Sequence, residues 1–156
     1  MDLKRTAKLV AIFAASAFLT AGLFVIHPKF LTRKKEGNSV FFPDRNLKIN
    51  VELAMTPYQW SKGLMFRDSL GENSGMFFIF PDEAKRIFWM KDTEIPLDLI
   101  FISKDLKVVD IKAGFEPCKA MICPNYESSA PAMYVLEVNA GFAKKNGISL
   151  GDKVSF

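Results

Sequence analysis

The chain has 156 residues, 49% of them hydrophobic and 24% charged, so it is long enough for one domain and too apolar for wholesale disorder. Its net charge of +4 comes from the first 37 residues, because residues 38–156 hold fourteen lysines and arginines against fifteen acidic residues, and a nucleic-acid partner is therefore not expected. The single histidine, His27, precedes the main domain, which excludes Ser-His-Asp and Cys-His catalysis and histidine-containing metal sites there.

An uncharged apolar run extends from Leu9 to Ile26. As a helix it would be about 27 Å long, close to the thickness of the hydrocarbon core of a bilayer. Three basic residues precede it, as in a secretion signal. Residues 1–27 are therefore a signal anchor or a signal peptide cleaved after Ala17 or Ala21. The run continues past both cleavage sites, which favours an N-terminal transmembrane helix that binds the protein to the membrane.

The segments that flank this run suggest where the domain lies. The short basic N-terminus predicts a single-pass protein of the inner membrane, with the domain in the periplasm or another extracytoplasmic space. Cleavage would instead release a secreted periplasmic protein. Basic residues also follow the run, so the positive-inside rule alone does not decide the orientation. Residues 28–40 are polar and basic and predict a linker, and residues 41–156 predict a single β-rich domain.

The main domain begins with clear strand and helix signals. Residues 47–54 alternate apolar and polar side chains, which predicts a half-buried strand. Thr56 is then a candidate helix cap, Pro57 fits the first helical position, and Gln59 completes a capping box. Gly63 is a natural end for this helix, which is therefore short.

Short strands account for most of the remaining chain. Residues 76–80 are continuously apolar and lie between a glycine and a proline, which predicts a strand buried on both faces. Asn139 is a candidate cap for a second short helix that ends before Gly147. Further strands are predicted at residues 86–90, 97–102, 108–113, 133–138 and 153–156, with a hairpin turn at 103–106. The fold class is mainly β, a sandwich or partly open barrel resembling a jelly roll, with two short helices.

Cys118 and Cys123 are separated by four residues. A metal site would need about four ligands, and neither a second cysteine pair nor a histidine of the main domain exists, so we expect no metal. The C-x-x-C spacing of redox proteins is also absent. In an oxidising compartment two cysteines this close are expected to form a structural disulfide, with free thiols or a redox or metal role as the alternatives.

The densest group of polar side chains lies in residues 88–98. In one interpretation Trp89, Lys91, Thr93 and Asp98 lie at the rim of a binding pocket. In the other, Trp89 belongs to the core and Lys91 forms an ion pair with Asp98 that stabilises a turn. A turn is expected in either case, because Pro96 cannot lie inside a regular central strand.

Two further charged residues are candidates for the same site. Arg67 can bind an anionic ligand or form an internal ion pair with Asp98, Glu52 or Glu137. Glu137 lies between two apolar residues of a predicted strand, so its carboxyl group either faces outward or is buried beside a cation. Together, Asp98 and Glu137 would also be candidates for acid–base hydrolysis of a glycoside.

Several consecutive motifs resemble the domain-of-unknown-function 192 family. They are Gly63-Leu64-Met65-Phe66-Arg67, Gly75-Met76-Phe77-Phe78-Ile79-Phe80, Phe88-Trp89-Met90-Lys91-Asp92-Thr93, Pro96-Leu97-Asp98, Cys118 with Cys123-Pro124, and Val135-Leu136-Glu137-Val138-Asn139-Ala140-Gly141. The resemblance implies a compact β-rich domain, often exported in bacteria, with no established reaction. Asp92 stands where the family motif usually has asparagine. The resemblance also implies that one site is shared by Arg67, Trp89, Lys91, Thr93, Asp98 and Glu137.

Three functions follow as hypotheses. The first is a membrane-tethered accessory module that binds a small polar ligand, a glycan or an envelope protein, without a cofactor. The second is a hydrolase of an envelope component that uses Asp98 or Glu137 with Lys91. The third is a structural interaction domain without a small-molecule site. A cavity lined by Trp89, Lys91 and Asp98 would favour the first two.

Overall fold

A computed structural model describes residues 38–156, which form a mainly β domain with two short helices. The helices are α1 (Pro57–Lys62) and α2 (Phe142–Lys145), and a 3-10 turn lies at Pro43–Arg45. The strands of the described part are β1 (Ser39–Phe42), β2 (Leu47–Ala54), β3 (Ser74–Ala84), β4 (Ile87–Trp89), β5 (Leu97–Ile102), β6 (Val108–Phe115), β7 (Asn125–Glu127) and β8 (Ala132–Asn139).

Six strands form one open sheet in the order β1-β2-β3-β8-β5-β6, and β4 pairs with β7 as a separate two-stranded ribbon. Strands β2 and β3 are parallel, and α1 lies in the connection between them. The other neighbouring strands of the sheet are antiparallel. The C-terminal segment bridges the two edges of the sheet through isolated pairs, Phe41 with Ser155 and Lys107 with Lys153. The prediction of a mainly β domain with two short helices is confirmed, and its sheet is open rather than closed.

Both faces of the central strands are covered, so the domain has two hydrophobic cores. Phe77, Ile100 and Leu136 belong to the core under α2, and Phe78 and Phe101 belong to the core under α1 and the ribbon. Successive residues of β3, β5 and β8 alternate between these two cores, as the pleat of a strand requires. All six positions of β5 are therefore buried.

The first helix begins and ends where the sequence predicts. The hydroxyl of Thr56 accepts a hydrogen bond from the amide of Gln59 at 3.3 Å, and the Gln59 side chain accepts one from the Thr56 amide at 3.0 Å. This reciprocal pair satisfies two amides that the first turn of a helix leaves without intrahelical partners. Pro57 occupies the first turn, and Gly63 follows the last residue with φ of +46°.

Two local predictions are wrong. Asn139 is the last residue of β8, and Gly141 is the residue that caps α2. The side chain of Asn139 instead donates to the carbonyls of Leu70 and Gly71, so it ties β8 to the loop before β3. Residues 153–156 form isolated bridges rather than a strand, because the segment crosses between two sheet edges and pairs with each edge at a single point.

The predicted membrane segment from Leu9 to Ile26 lies outside the described residues, and so does His27. Within residues 38–156, the helices are too short and too polar to cross a membrane.

Candidate functional site

Glu137 and Asp98 lie on opposite faces of the sheet. In the β5–β8 ladder, Asp98 is paired with Val138, and Leu99 is paired with Glu137. Paired residues of neighbouring strands share a face, and successive residues alternate between faces. The side chain of Glu137 therefore points to the face covered by α1 and the ribbon, whereas Asp98 points to the face covered by α2.

The carboxyl group of Glu137 is buried without a partner. The residue is 5% exposed, and its Oε2 atom has no hydrogen-bond partner among the described residues. Burial away from water raises the pKa of Glu137 from 4.5 to about 8, because it disfavours the charged form. The side chain is therefore a neutral carboxylic acid at neutral pH.

The chain that leaves α1 passes directly over this carboxyl group at Gly63. A Cβ atom at this position would lie 3.5 Å from the ring of Phe78 and 3.6 Å from Oε2 of Glu137. The φ of +46° is also one that residues with side chains rarely adopt. The positive φ at the end of α1 therefore favours glycine, while a Cβ atom there would make only ordinary van der Waals contact with the carboxyl group.

A cavity of about 20 Å³ reaches the carboxyl group, and we call it the glutamate cavity. Its polar side chains are those of Ser61, Lys62, Thr93 and Glu137, and Trp60, Phe88 and Trp89 are among its apolar walls. Its volume has room for one group of about the size of a water molecule.

A larger cavity of about 470 Å³ adjoins the glutamate cavity, and we call it the aromatic groove. Four residues line both cavities, namely Trp60, Ser61, Phe88 and Trp89. The other walls of the groove include Phe80, Arg86 and Asn125. The volume is within the range of roughly 300–1,000 Å³ that is usual for small-molecule sites.

Hydrogen bonds and ring contacts hold the walls of the aromatic groove. The indole of Trp60 donates to the carbonyl of Ala54 at 3.0 Å, and its ring centroid lies 5.0 Å from that of Phe80. Arg86 lies 4.1 Å above the Phe80 ring and donates to the carbonyl of Ala132 at 2.9 Å. Trp89 is less constrained by its neighbours, since it is 46% exposed and offers an open ring surface.

Three of the six predicted site residues come together, since Trp89, Thr93 and Glu137 all line the glutamate cavity. Arg67 instead forms an ion pair with Glu52 at 2.6 Å on the surface, which was one of the predicted alternatives for this arginine.

The predicted ion pair between Lys91 and Asp98 is wrong. The ammonium group of Lys91 donates to the carbonyl of Ala120 at 3.1 Å and lies 3.8 Å from the carboxylate of Asp92. Asp98 accepts hydrogen bonds from the amide of Gly114 at 2.9 Å and from the amide of Ala143 at 3.0 Å. The amide of Gly114 lies in a bulge of the β5–β6 ladder and has no partner in the neighbouring strand. The amide of Ala143 lies in the first turn of α2 and has no intrahelical partner. Asp98 therefore stabilises the fold.

The predicted disulfide between Cys118 and Cys123 is present. The amide of Cys118 donates to the carbonyl of Met90 at 3.1 Å, and the amide of Asp92 donates to the carbonyl of Cys118 at 3.0 Å. The disulfide loop is thus attached to the segment between Trp89 and Thr93, and it supports one wall of the glutamate cavity.

Sequence reasoning missed most walls of the aromatic groove, including Trp60, Phe80, Arg86 and Asn125. The available signal was the large aromatic residues in α1, β3 and β4, but nothing in their spacing indicated that they meet. Within residues 38–156, no group of three or more histidine, cysteine or acidic side chains is placed to hold a metal ion.

The chain is similar to two proteins of known structure. One, from Sinorhizobium meliloti 1021 and described as a "putative transcription regulator", is 35% identical, with a TM-score of 0.68 over 75% of this chain and 89% of that chain. The other, a protein of unknown function from Novosphingobium aromaticivorans DSM 12444, is 37% identical, with a TM-score of 0.68 over 76% of this chain and 82% of that chain. No curated protein matches the chain.

Both hydrophobic cores of the chain are formed within residues 38–156, which makes this range suitable for study as an isolated domain. Residues 40–156 match the model of the DUF192 family, described as an uncharacterized ACR. The family predicted from the motifs is thereby confirmed, and the chain belongs to the DUF192 family.

Proposed function

We propose that this domain is a binding module for a small ligand, whose site is the aromatic groove together with the glutamate cavity. The observation that carries the proposal is the unpartnered, buried carboxyl oxygen of Glu137 next to a groove walled by aromatic rings. A buried polar atom without a partner costs about 1–3 kcal/mol of stability. Buried polar atoms without a hydrogen-bond partner are expected mainly at functional sites, where a ligand can supply the partner.

The walls favour a ligand with an apolar face and one polar end. Trp60, Phe88 and Trp89 offer ring surfaces for the apolar part, and the carboxyl group of Glu137 offers a hydrogen-bonding partner for the polar end. Sugar rings and aliphatic chains with a terminal polar group both meet this description.

Two other activities have less support. Glycoside hydrolysis by two carboxyl groups requires both of them on the same side of one substrate, whereas Asp98 and Glu137 lie on opposite faces of the sheet. The name of the Sinorhizobium relative suggests gene regulation, but residues 38–156 of this chain have no excess of basic residues to attract DNA.

Fragment binding to the isolated domain, residues 38–156, tests the proposed site. Both tryptophans of the chain line the aromatic groove, so intrinsic fluorescence reports its occupancy directly. A panel of small sugars and of aliphatic amines and alcohols should contain members that change this fluorescence. Trp89→Ala should weaken their binding at least tenfold, because it removes the exposed ring surface.

The matched control is Leu150→Ala, which removes another exposed apolar side chain away from the groove. It should leave fragment binding unchanged. A panel without a binder, or binders that bind Trp89→Ala as tightly as the wild type, would refute the proposed site.

We also propose that residues 9–26 tether the domain outside the cytoplasm. The apolar run and the basic N-terminus support this location, as does the Cys118–Cys123 disulfide, since disulfides persist mainly in oxidising compartments. Alkaline phosphatase fused after Phe156 should be active and remain with the membrane fraction. An inactive fusion would reject the orientation, and a soluble product shortened at its N-terminus would reject the anchor.

A further inference from the structure

We infer that the glutamate cavity is a subsite for a primary ammonium group, so that the ligand of the aromatic groove is an amine with an apolar stem. This inference rests on the binding site proposed above and adds the chemical class of its ligand.

The size of the cavity is the first reason. Its volume of about 20 Å³ admits one group of the size of a water molecule. A primary ammonium group has this size, whereas a trimethylammonium group or a sugar ring is much larger. The stem of the ligand would continue between Trp60, Phe88 and Trp89, which also line the aromatic groove.

The hydrogen-bonding groups of the cavity are the second reason. An ammonium group has three donors and no acceptor, so it needs acceptors around it. Oε2 of Glu137 is an acceptor without a partner. The hydroxyl of Thr93 donates to the carbonyl of Lys91 at 3.4 Å and keeps its lone pairs, and Ser61 contributes a second hydroxyl to the lining. Aromatic faces attract cations as well, which favours an ammonium group over a neutral one at this position.

The surroundings of Glu137 do not already neutralise it. The neighbouring strands contribute apolar Met76 and Phe78 from β3 and Leu99 from β5. From α1, Lys62 lines the cavity, but its side chain is exposed and forms no ion pair with Glu137. The ribbon and the segment after it contribute Phe88, Trp89 and Thr93, which carry no charge.

Binding of an ammonium group should therefore depend on pH. The bound form needs an ionised Glu137, and burial raises the pKa of this group to about 8 in the free protein. Below pH 8, each bound amine must displace about one proton from Glu137. The affinity should rise up to tenfold per pH unit up to pH 8 and then become constant.

Three probes of equal stem length test this in the isolated domain, followed by tryptophan fluorescence. n-Hexylamine should bind, with its Kd falling about tenfold between pH 6.5 and 7.5. n-Hexanol, which carries no charge, should bind without this pH dependence. n-Hexyltrimethylammonium, whose head is too large for the cavity, should bind at least tenfold more weakly than hexylamine at pH 8. Calorimetry at pH 6.5 in phosphate and in ACES, two buffers with different ionisation enthalpies, should detect release of about one proton per hexylamine.

Glu137→Gln should abolish the pH dependence of hexylamine binding and the preference for it over hexanol. Glu116→Gln is the matched control, since it removes an exposed carboxyl group that lines neither cavity, and it should keep both properties. Hexanol binding shows in each variant that the groove is intact. The pH profile of the wild type decides the question even if Glu137→Gln does not fold.

The outcomes separate this inference from the proposed site. If hexanol and hexylamine bind equally at every pH, the amine inference is overturned while the groove remains a binding site. Equal binding of hexylamine and hexyltrimethylammonium would overturn the assignment of the ammonium group to the cavity. If neither amine nor alcohol binds, the amine inference is overturned, and the sugars of the fragment panel alone decide the proposed site.

Discussion

Replacement of Glu137 by glutamine should make the domain more stable, and by an amount that grows with pH. Folding raises the pKa of this carboxyl group from 4.5 to about 8. Between these two values the unfolded chain ionises Glu137 while the folded domain keeps it protonated. The folded domain therefore binds one proton more, and its stability falls as the pH rises through this window.

The size of the effect follows from the shift. Each pH unit within the window is worth about 1.4 kcal/mol, so at pH 7 the buried acid costs about 3 kcal/mol relative to a side chain that does not ionise. At and above pH 8 the cost reaches about 5 kcal/mol, and below pH 4.5 it vanishes. Glutamine has nearly the same shape and no charge to lose, so Glu137→Gln removes the pH-dependent part of this cost.

Urea unfolding of the isolated domain at several pH values between 5 and 9, followed by circular dichroism, measures this difference. The free energy of unfolding of Glu137→Gln should exceed that of the wild type increasingly from pH 5 to pH 8, with a constant difference above that. Glu116→Gln is the control, since it removes an exposed carboxyl group and should leave the wild-type dependence in place. If the free energy of unfolding changed with pH in the same way for Glu137→Gln and the wild type, the account of a neutral buried acid would be refuted.

Three other changes test the supports of the fold, each measured as the free energy of unfolding in urea. Asp98→Ala should cost about 3 kcal/mol or more, because it leaves one buried amide of α2 and one amide of β6 without their acceptor; a loss below 1 kcal/mol would contradict this. Gly75→Ala should cost about 2 kcal/mol or more, because its Cβ would lie 2.5 Å from a backbone carbonyl of β8. Wild-type stability would contradict this, since it would mean that β3 and β8 move apart enough for a methyl group without loss of stability. The double replacement of Cys118 and Cys123 by serine should cost about 2 kcal/mol, as expected for a loop this short, and no loss would mean that the loop is equally restricted without the disulfide.

Features that depend on near neighbours in the chain were predictable from the sequence. The alternation of β2, the capping box at Thr56 and the turn between β5 and β6 are each contained in a few consecutive residues. The same holds for the disulfide, because the short separation of Cys118 and Cys123 in the chain keeps their thiols close together and an oxidising environment is then enough for the bond to form. In all these cases local geometry determines the result, and distant residues add little.

The site depended on tertiary structure. The sequence indicated Trp89, Thr93 and Glu137 as candidates, but it also grouped them with Asp98. Only the register of β5 against β8 decides that Asp98 and Glu137 point to opposite faces, since a slip by one residue would exchange the faces of all side chains in a strand. The aromatic groove likewise forms from three separate parts of the chain, namely α1, the consecutive strands β3 and β4, and β7. Long-range packing, which leaves no periodic signal in the sequence, decides which of these side chains meet.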